Sequence, residues 1–101
     1  MPGWDPDALD DLMRIVEYIA EDDPATAWRV HDEIYGRAAV LDDQPLIGRK
    51  GEAPGTREFV LSGTPFILVY DPEPSPVVWR VLHGAQWWPQ EKPKAWPGTD
   101  K

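Results

Sequence analysis

The sequence predicts an α+β domain: an N-terminal helical hairpin packed on a small antiparallel β-sheet. Two observations carry this reading. Apolar residues recur at helical spacing up to about residue 41, and from residue 57 the pattern becomes strand-like. A third is size: 101 residues suffice for one core and no second module. We therefore expect a single domain over residues 1–89 and a C-terminal tail over 90–101.

Asp5-Pro6 is a helix start, with an acceptor at the N-cap and a proline where no N–H is needed. Ala8, Leu9, Leu12, Ile15, Val16 and Ile19 then form an apolar stripe, and Asp7, Asp10, Asp11, Arg14 and Glu17 fall on the other side. The spacing predicts a helix over about 6–21. Asp23-Pro24 repeats the start signal. Ala27, Trp28, Val30, Ile34, Ala38 and Leu41 carry a second helix to about Leu41-Asp42, with His31 beside its stripe as a packing residue. The short connection makes the two helices antiparallel neighbours.

Residues 43–56, rich in Gly and Pro, read as a loop. Arg57–Ser62, Pro65–Asp71 and Val77–His83 read as three strands, joined at Gly63-Thr64 and at the proline-rich Pro72–Pro76. Such short connections imply an antiparallel meander. The nearly continuous apolar run Phe66–Tyr70 suits a central strand. Residues 1–4 could add a short edge strand.

Composition narrows the function classes. The net charge is −8, and it is uneven. Residues 1–45 hold 12 acidic and 3 basic side chains, and residues 46–101 hold 6 and 7. Strong direct nucleic-acid binding needs many Lys and Arg contacts, so it is not expected. No apolar run reaches the roughly 18–20 residues of a membrane span. The first residues lack the basic and apolar regions of a secretory signal. With no cysteine there is no disulfide and no thiolate metal site. We expect a cytoplasmic protein without metal or cofactor.

One ordered set of short motifs is more specific. It comprises Trp4-x-Pro6-x-Ala8-x-x-Asp11-Leu12-x-x-Ile15-x-x-Tyr18-Ile19, Pro24-x-x-Ala27, Gly48-Arg49, Gly55-Thr56-Arg57-Glu58, Gly63-Thr64-Pro65-Phe66, Val69-Tyr70 and Arg80-Val81-Leu82-His83-Gly84-Ala85-Gln86-Trp87-Trp88-Pro89. Together they span residues 4–89 and resemble the RelE/ParE family of bacterial type II toxins. The resemblance implies two helices on one face of a small antiparallel sheet, and a cognate antitoxin that wraps and neutralises the toxin. RelE-like members cut mRNA on the ribosome, whereas ParE-like members poison DNA gyrase without nuclease chemistry.

RNA cleavage needs groups that move protons and cations that steady the phosphorane. The resemblance places lysines of RelE-like nucleases at Glu58 and Val60, and arginines at Ile67 and Gln86. All four positions have lost the cation. This favours a ParE-like toxin that inhibits gyrase by binding. The alternatives are a ribosome-dependent mRNA endonuclease using Arg57, Arg80 and His83, or an attenuated toxin that serves only as an antitoxin-binding module.

The remaining candidate binding residues are Arg49, Lys50, Arg57, Arg80, Trp87 and Trp88. Arg49 and Lys50 read as solvated loop residues or as contacts to a partner's acidic groups. Arg80, sharing a strand face with Val78 and Leu82, either pairs with a carboxylate such as Glu58 or meets a target. His83, on the side of Val77, Trp79 and Val81, reads as a structural histidine or as a catalyst. Trp87 and Trp88 are adjacent, so an extended chain points them to opposite sides. One must be exposed, as in binding hot spots, or covered by the tail with Trp96. A homodimer and a toxin–antitoxin hetero-oligomer are both open. Because residues 1–45 are acidic, the antitoxin segment that touches them should carry Lys or Arg.

Overall fold

A computed structural model describes residues 1–83. Trp87, Trp88, Gln86 and the tail over 90–101 lie outside the described residues. The elements are β1 (Gly3–Trp4), α1 (Pro6–Ala20), α2 (Pro24–Arg37), α3 (Val40–Asp43), β2 (Arg49–Lys50), β3 (Arg57–Val60), β4 (Phe66–Asp71) and β5 (Val77–His83).

Both helix starts are built as their sequences dictate. The Asp5 carboxylate accepts from the Asp7 amide at 2.9 Å. Asp23 accepts from the Thr26 amide at 3.1 Å and from its hydroxyl at 2.7 Å. Each cap satisfies a donor that the first helical turn leaves open. The expected second helix to residue 41 breaks after Arg37. Gly36 weakens its last turn, and the next hydrogen bonds tighten, with Leu41 N–H donating to Ala38 O and Asp42 N–H to Ala39 O. Leu41 is still fully buried, carried into the core by α3 rather than by α2. That is why the apolar pattern ran past the break.

Among the described residues the sheet has five strands in the order β1-β5-β4-β3-β2, so the expected three-stranded meander is its centre rather than its whole. β3, β4 and β5 pair antiparallel in sequence order. β1 joins β5 in parallel, setting Gly3 beside Val77 and Trp4 beside Val78. β2, inside the segment read as loop, pairs antiparallel with β3. Both added strands are two residues long, too short to show a period of their own.

Phe66, Leu68 and Tyr70 of the central strand are buried with Val78 and Val81 under the helices, in one core with Ala8, Leu12, Ile19, Ala27 and Ile34. Two glycine turns shape the rest. Gly63 takes φ +84° between β3 and β4, and Gly55 takes φ +82° ahead of β3, conformations that L-residues avoid.

One buried tyrosine fixes the approach to β2. Tyr70 Oη donates to Pro45 O at 2.6 Å and accepts from the Gly48 amide at 3.0 Å. A Cβ on Gly48 would lie 2.8 Å from Glu58 O and 2.9 Å from the Tyr70 ring. This loop therefore lies against the sheet only with glycine at 48. Tyr70→Phe should cost about 1–2 kcal/mol by stranding two polar groups. Gly48→Ala should cost about 1–3 kcal/mol by overpacking. Urea unfolding monitored by circular dichroism measures both; unchanged midpoints would remove this account of the loop.

Candidate functional site

The helices cover one face of the sheet, and the side chains that point to the other face form the candidate site. Strand alternation and register identify them. Phe59 packs toward the core, so Glu58 and Val60 face away from it. Val60 stands opposite Ile67, and Ile67 opposite Leu82. A second row crosses four strands: Arg49 opposite Glu58, Glu58 opposite Val69, and Val69 opposite Arg80. The open face is thus apolar in one row and charged at both ends of the other. Val60 and Trp79 are 44% and 41% exposed.

Neither arginine of the charged row is free. Arg49 Nε and Nη2 both donate to Glu58 Oε1, at 3.1 and 3.0 Å. Arg80 is not held by Glu58, as the sequence suggested, but by Asp11 of α1. Its Nε donates to Asp11 Oδ2 at 2.7 Å and its Nη2 to Asp11 Oδ1 at 3.0 Å. Asp11 Oδ2 also accepts from the Val81 amide at 2.9 Å. Asp11, assigned above to the solvent side of its helix, is buried.

A register shift makes this possible. Val69 pairs with Arg80, but Tyr70 pairs with Val78, so Trp79 is an extra residue in β5. The bulge breaks the expected alternation. Val78, Val81 and His83 are buried, whereas Trp79 and Arg80 are exposed. Arg80 therefore does not share a face with Val78, nor His83 with Trp79. The Asp11 hydrogen bond, then its charge, raises the Arg80 pKa above its usual value.

The other candidates lie apart. Arg57 Nη1 donates to Gly48 O at 2.7 Å, so its guanidinium holds the loop before β2. Lys50 is exposed, at the rim of a cleft of about 440 Å³ that Arg57, Asp71 and Glu73 also line. His83 packs edge-on against Phe66, ring centroids 6.3 Å apart. Burial lowers its pKa to about 4, so it is neutral near pH 7. The fold does not gather Arg57, Arg80 and His83 into one catalytic cluster: Arg57 is committed to a loop, Arg80 to a helix, and His83 to the core. Among the described residues, no group of three His, Asp or Glu is placed to hold a metal ion.

Comparison with known proteins accounts for this combination of fold and face. The family model described as "ParE toxin of type II toxin-antitoxin system, parDE" matches residues 3–88. The chain belongs to the ParE toxin family. It is 38% identical over 87 residues to the Sinorhizobium fredii protein named "Putative toxin Y4kP", covering 86% of this chain and 91% of that one. A solved structure titled "Chromosomal ParDE TA system from P. aeruginosa" shares the fold, with a TM-score of 0.71 at 24% identity, over 82% of this chain and 96% of its own. On the open face Glu58, Val60 and Ile67 stand without a free cation beside them among the described residues. No described helix is long and apolar enough to cross a membrane.

Sequence reasoning missed the partner of Arg80. The signal was present in the Asp11 of the first motif, but only the fold brings residues 11 and 80 together.

Two outcomes follow from this geometry. Asp11→Ala should destabilise by about 2 kcal/mol, since it strands Arg80 and the Val81 amide. A double-mutant cycle with Arg80→Ala, read by urea unfolding, should show coupling; additive losses would mean that the pair is incidental. For His83, the folded pKa lies below the ordinary 6.5. Its stabilising share is complete above pH 6.5 and is lost as pH falls toward 4, about 3 kcal/mol across that window. His83→Gln should flatten that part of the stability profile relative to the parent. Identical pH profiles would show that His83 does not titrate this way.

Proposed function

We propose that this ParE family member acts by binding rather than by chemistry, inhibiting DNA gyrase, and that a cognate antitoxin holds it in check. The observation that supports the reading is the open sheet face. Its apolar row Val60–Ile67–Leu82 occupies ground that an RNA-cutting relative needs for cations. Its arginines are already neutralised, Arg49 by Glu58 and Arg80 by Asp11. A surface of this kind suits a protein target, with Val60 and Trp79 supplying contact area. Gyrase as the target comes from the ParE resemblance, and a cytoplasmic site of action from the composition. Trp87 and Trp88, the other aromatic candidates, lie outside the described residues.

Purified protein incubated with gyrase and relaxed plasmid should block supercoiling in a dose-dependent way. It should leave mRNA intact in a translating extract. Normal supercoiling together with cut mRNA would replace this reading with the ribonuclease one.

A further inference from the structure

The helical hairpin carries a second surface that the sheet face does not account for. Trp28, His31 and Tyr35 lie on one side of α2 at helical spacing, and their rings form a column with Trp4 of β1. Trp4 and Tyr35 stack with centroids 5.1 Å apart and planes 20° apart. Tyr35 and His31 stack at 5.9 Å and 8°. His31 meets Trp28 edge-on at 5.3 Å.

The column is not simply core. Trp28 is 52% exposed and Tyr35 is 37% exposed. Its inner end, Trp4 Nε1, is buried without a hydrogen-bond partner among the described residues. Carboxylates border it. Asp32 bonds His31 Nδ1 at 3.0 Å, yet its side chain is 80% exposed. Asp10, Glu17, Glu21 and Asp22 are exposed on the same hairpin.

Trp28, half exposed at the outer end of the column and beside the exposed Asp32, forms a receptor for a cation. The rings are already held against one another, so little side-chain freedom remains to be lost on binding. A second copy of this chain would bring the same excess of carboxylates to the interface and be repelled. We infer that the Trp28–His31–Tyr35 column with Asp32 is the docking site for an Arg- or Lys-bearing segment of the cognate antitoxin. The cation seats over the Trp28 ring and pairs with Asp32. This inference rests on the toxin–antitoxin reading above and adds to it the place and the chemistry of the contact.

The test is calorimetric titration of the full chain with the protein encoded by its partner antitoxin gene. Trp28→Ala should weaken binding about ten-fold or more. Trp28→Phe, which keeps a ring, should recover most of it. Asp32→Lys should weaken binding and reduce its salt dependence. Trp28 and Asp32 are exposed, and circular dichroism melts should match the parent. Hydrogen exchange should show α2 protected in the complex. Unchanged affinity in both Trp28→Ala and Asp32→Lys, with the parent binding tightly, would overturn the docking site alone. Failure of the parent chain to bind would instead sink the toxin–antitoxin reading. A homodimer that Trp28→Ala disrupts would identify the occupant as a second copy and overturn the basic-segment assignment.

Discussion

The fold turns on one carboxylate. Asp11 accepts three hydrogen bonds, two from Arg80 and one from the Val81 amide, across 69 and 70 residues of chain. β1 ends at Trp4, and its last bond to β5 runs from the Asp5 amide to Val78 O. Beyond that point β5 is an edge among the described residues, and an edge leaves main-chain donors open. Asp11 closes the Val81 donor from the helix above. The Trp79 bulge sets the spacing, because it carries Arg80 outward while Val81 turns inward. A buried carboxylate is costly unless its lone pairs are filled. Here the cation and the amide fill them together, so helix, strand and bulge are mutually required.

The same interaction decides what the open face can do. An arginine on that face would, if free, be the natural candidate for an anionic target. Tied to Asp11 it is structural, and the pair is nearly neutral to an approaching ligand. Arg49 is treated alike by Glu58. With both arginines paired, the described part of this face offers a partner mainly apolar surface, Val60 and Trp79 above all.

Much of this was legible in the sequence. Both helix caps, the three long strands and the central place of Phe66–Asp71 follow from local rules of spacing and termination. The resemblance put the cations of RelE-like members at Glu58, Val60 and Ile67, and the register sets Val60 opposite Ile67 and Glu58 opposite Val69. What escaped depends on contacts distant in sequence. Gly3–Trp4 and Arg49–Lys50 become strands only because β5 and β3 offer them partners. The α2 break at Arg37 was hidden by Leu41, which stays buried on either path. Asp11 looked solvent-facing because its side of the helix is acidic, and the fold alone shows that side meeting a strand edge. A bulge cannot be seen in alternation, so Arg80 was wrongly joined to Val78 and His83 to Val77 and Trp79, while Arg80 with Leu82 and His83 with Val81 hold beyond the bulge.

The column on α2 sharpens the meaning of the charge asymmetry. An acidic surface repels nucleic acid, and gyrase works on DNA. If the sheet face meets the enzyme, the hairpin must turn away from the duplex, which fixes how the toxin can approach. A basic segment seated on Trp28 would cancel that repulsion and add bulk on the helical side, opposite the sheet face. Neutralisation could then act through orientation, without covering the apolar row Val60–Ile67–Leu82. Two surfaces with different chemistry on one small domain would let target and antitoxin be recognised by separate residues. Substitutions at Trp28 would then release the antitoxin and leave the target contact whole, whereas substitutions at Val60 would do the reverse.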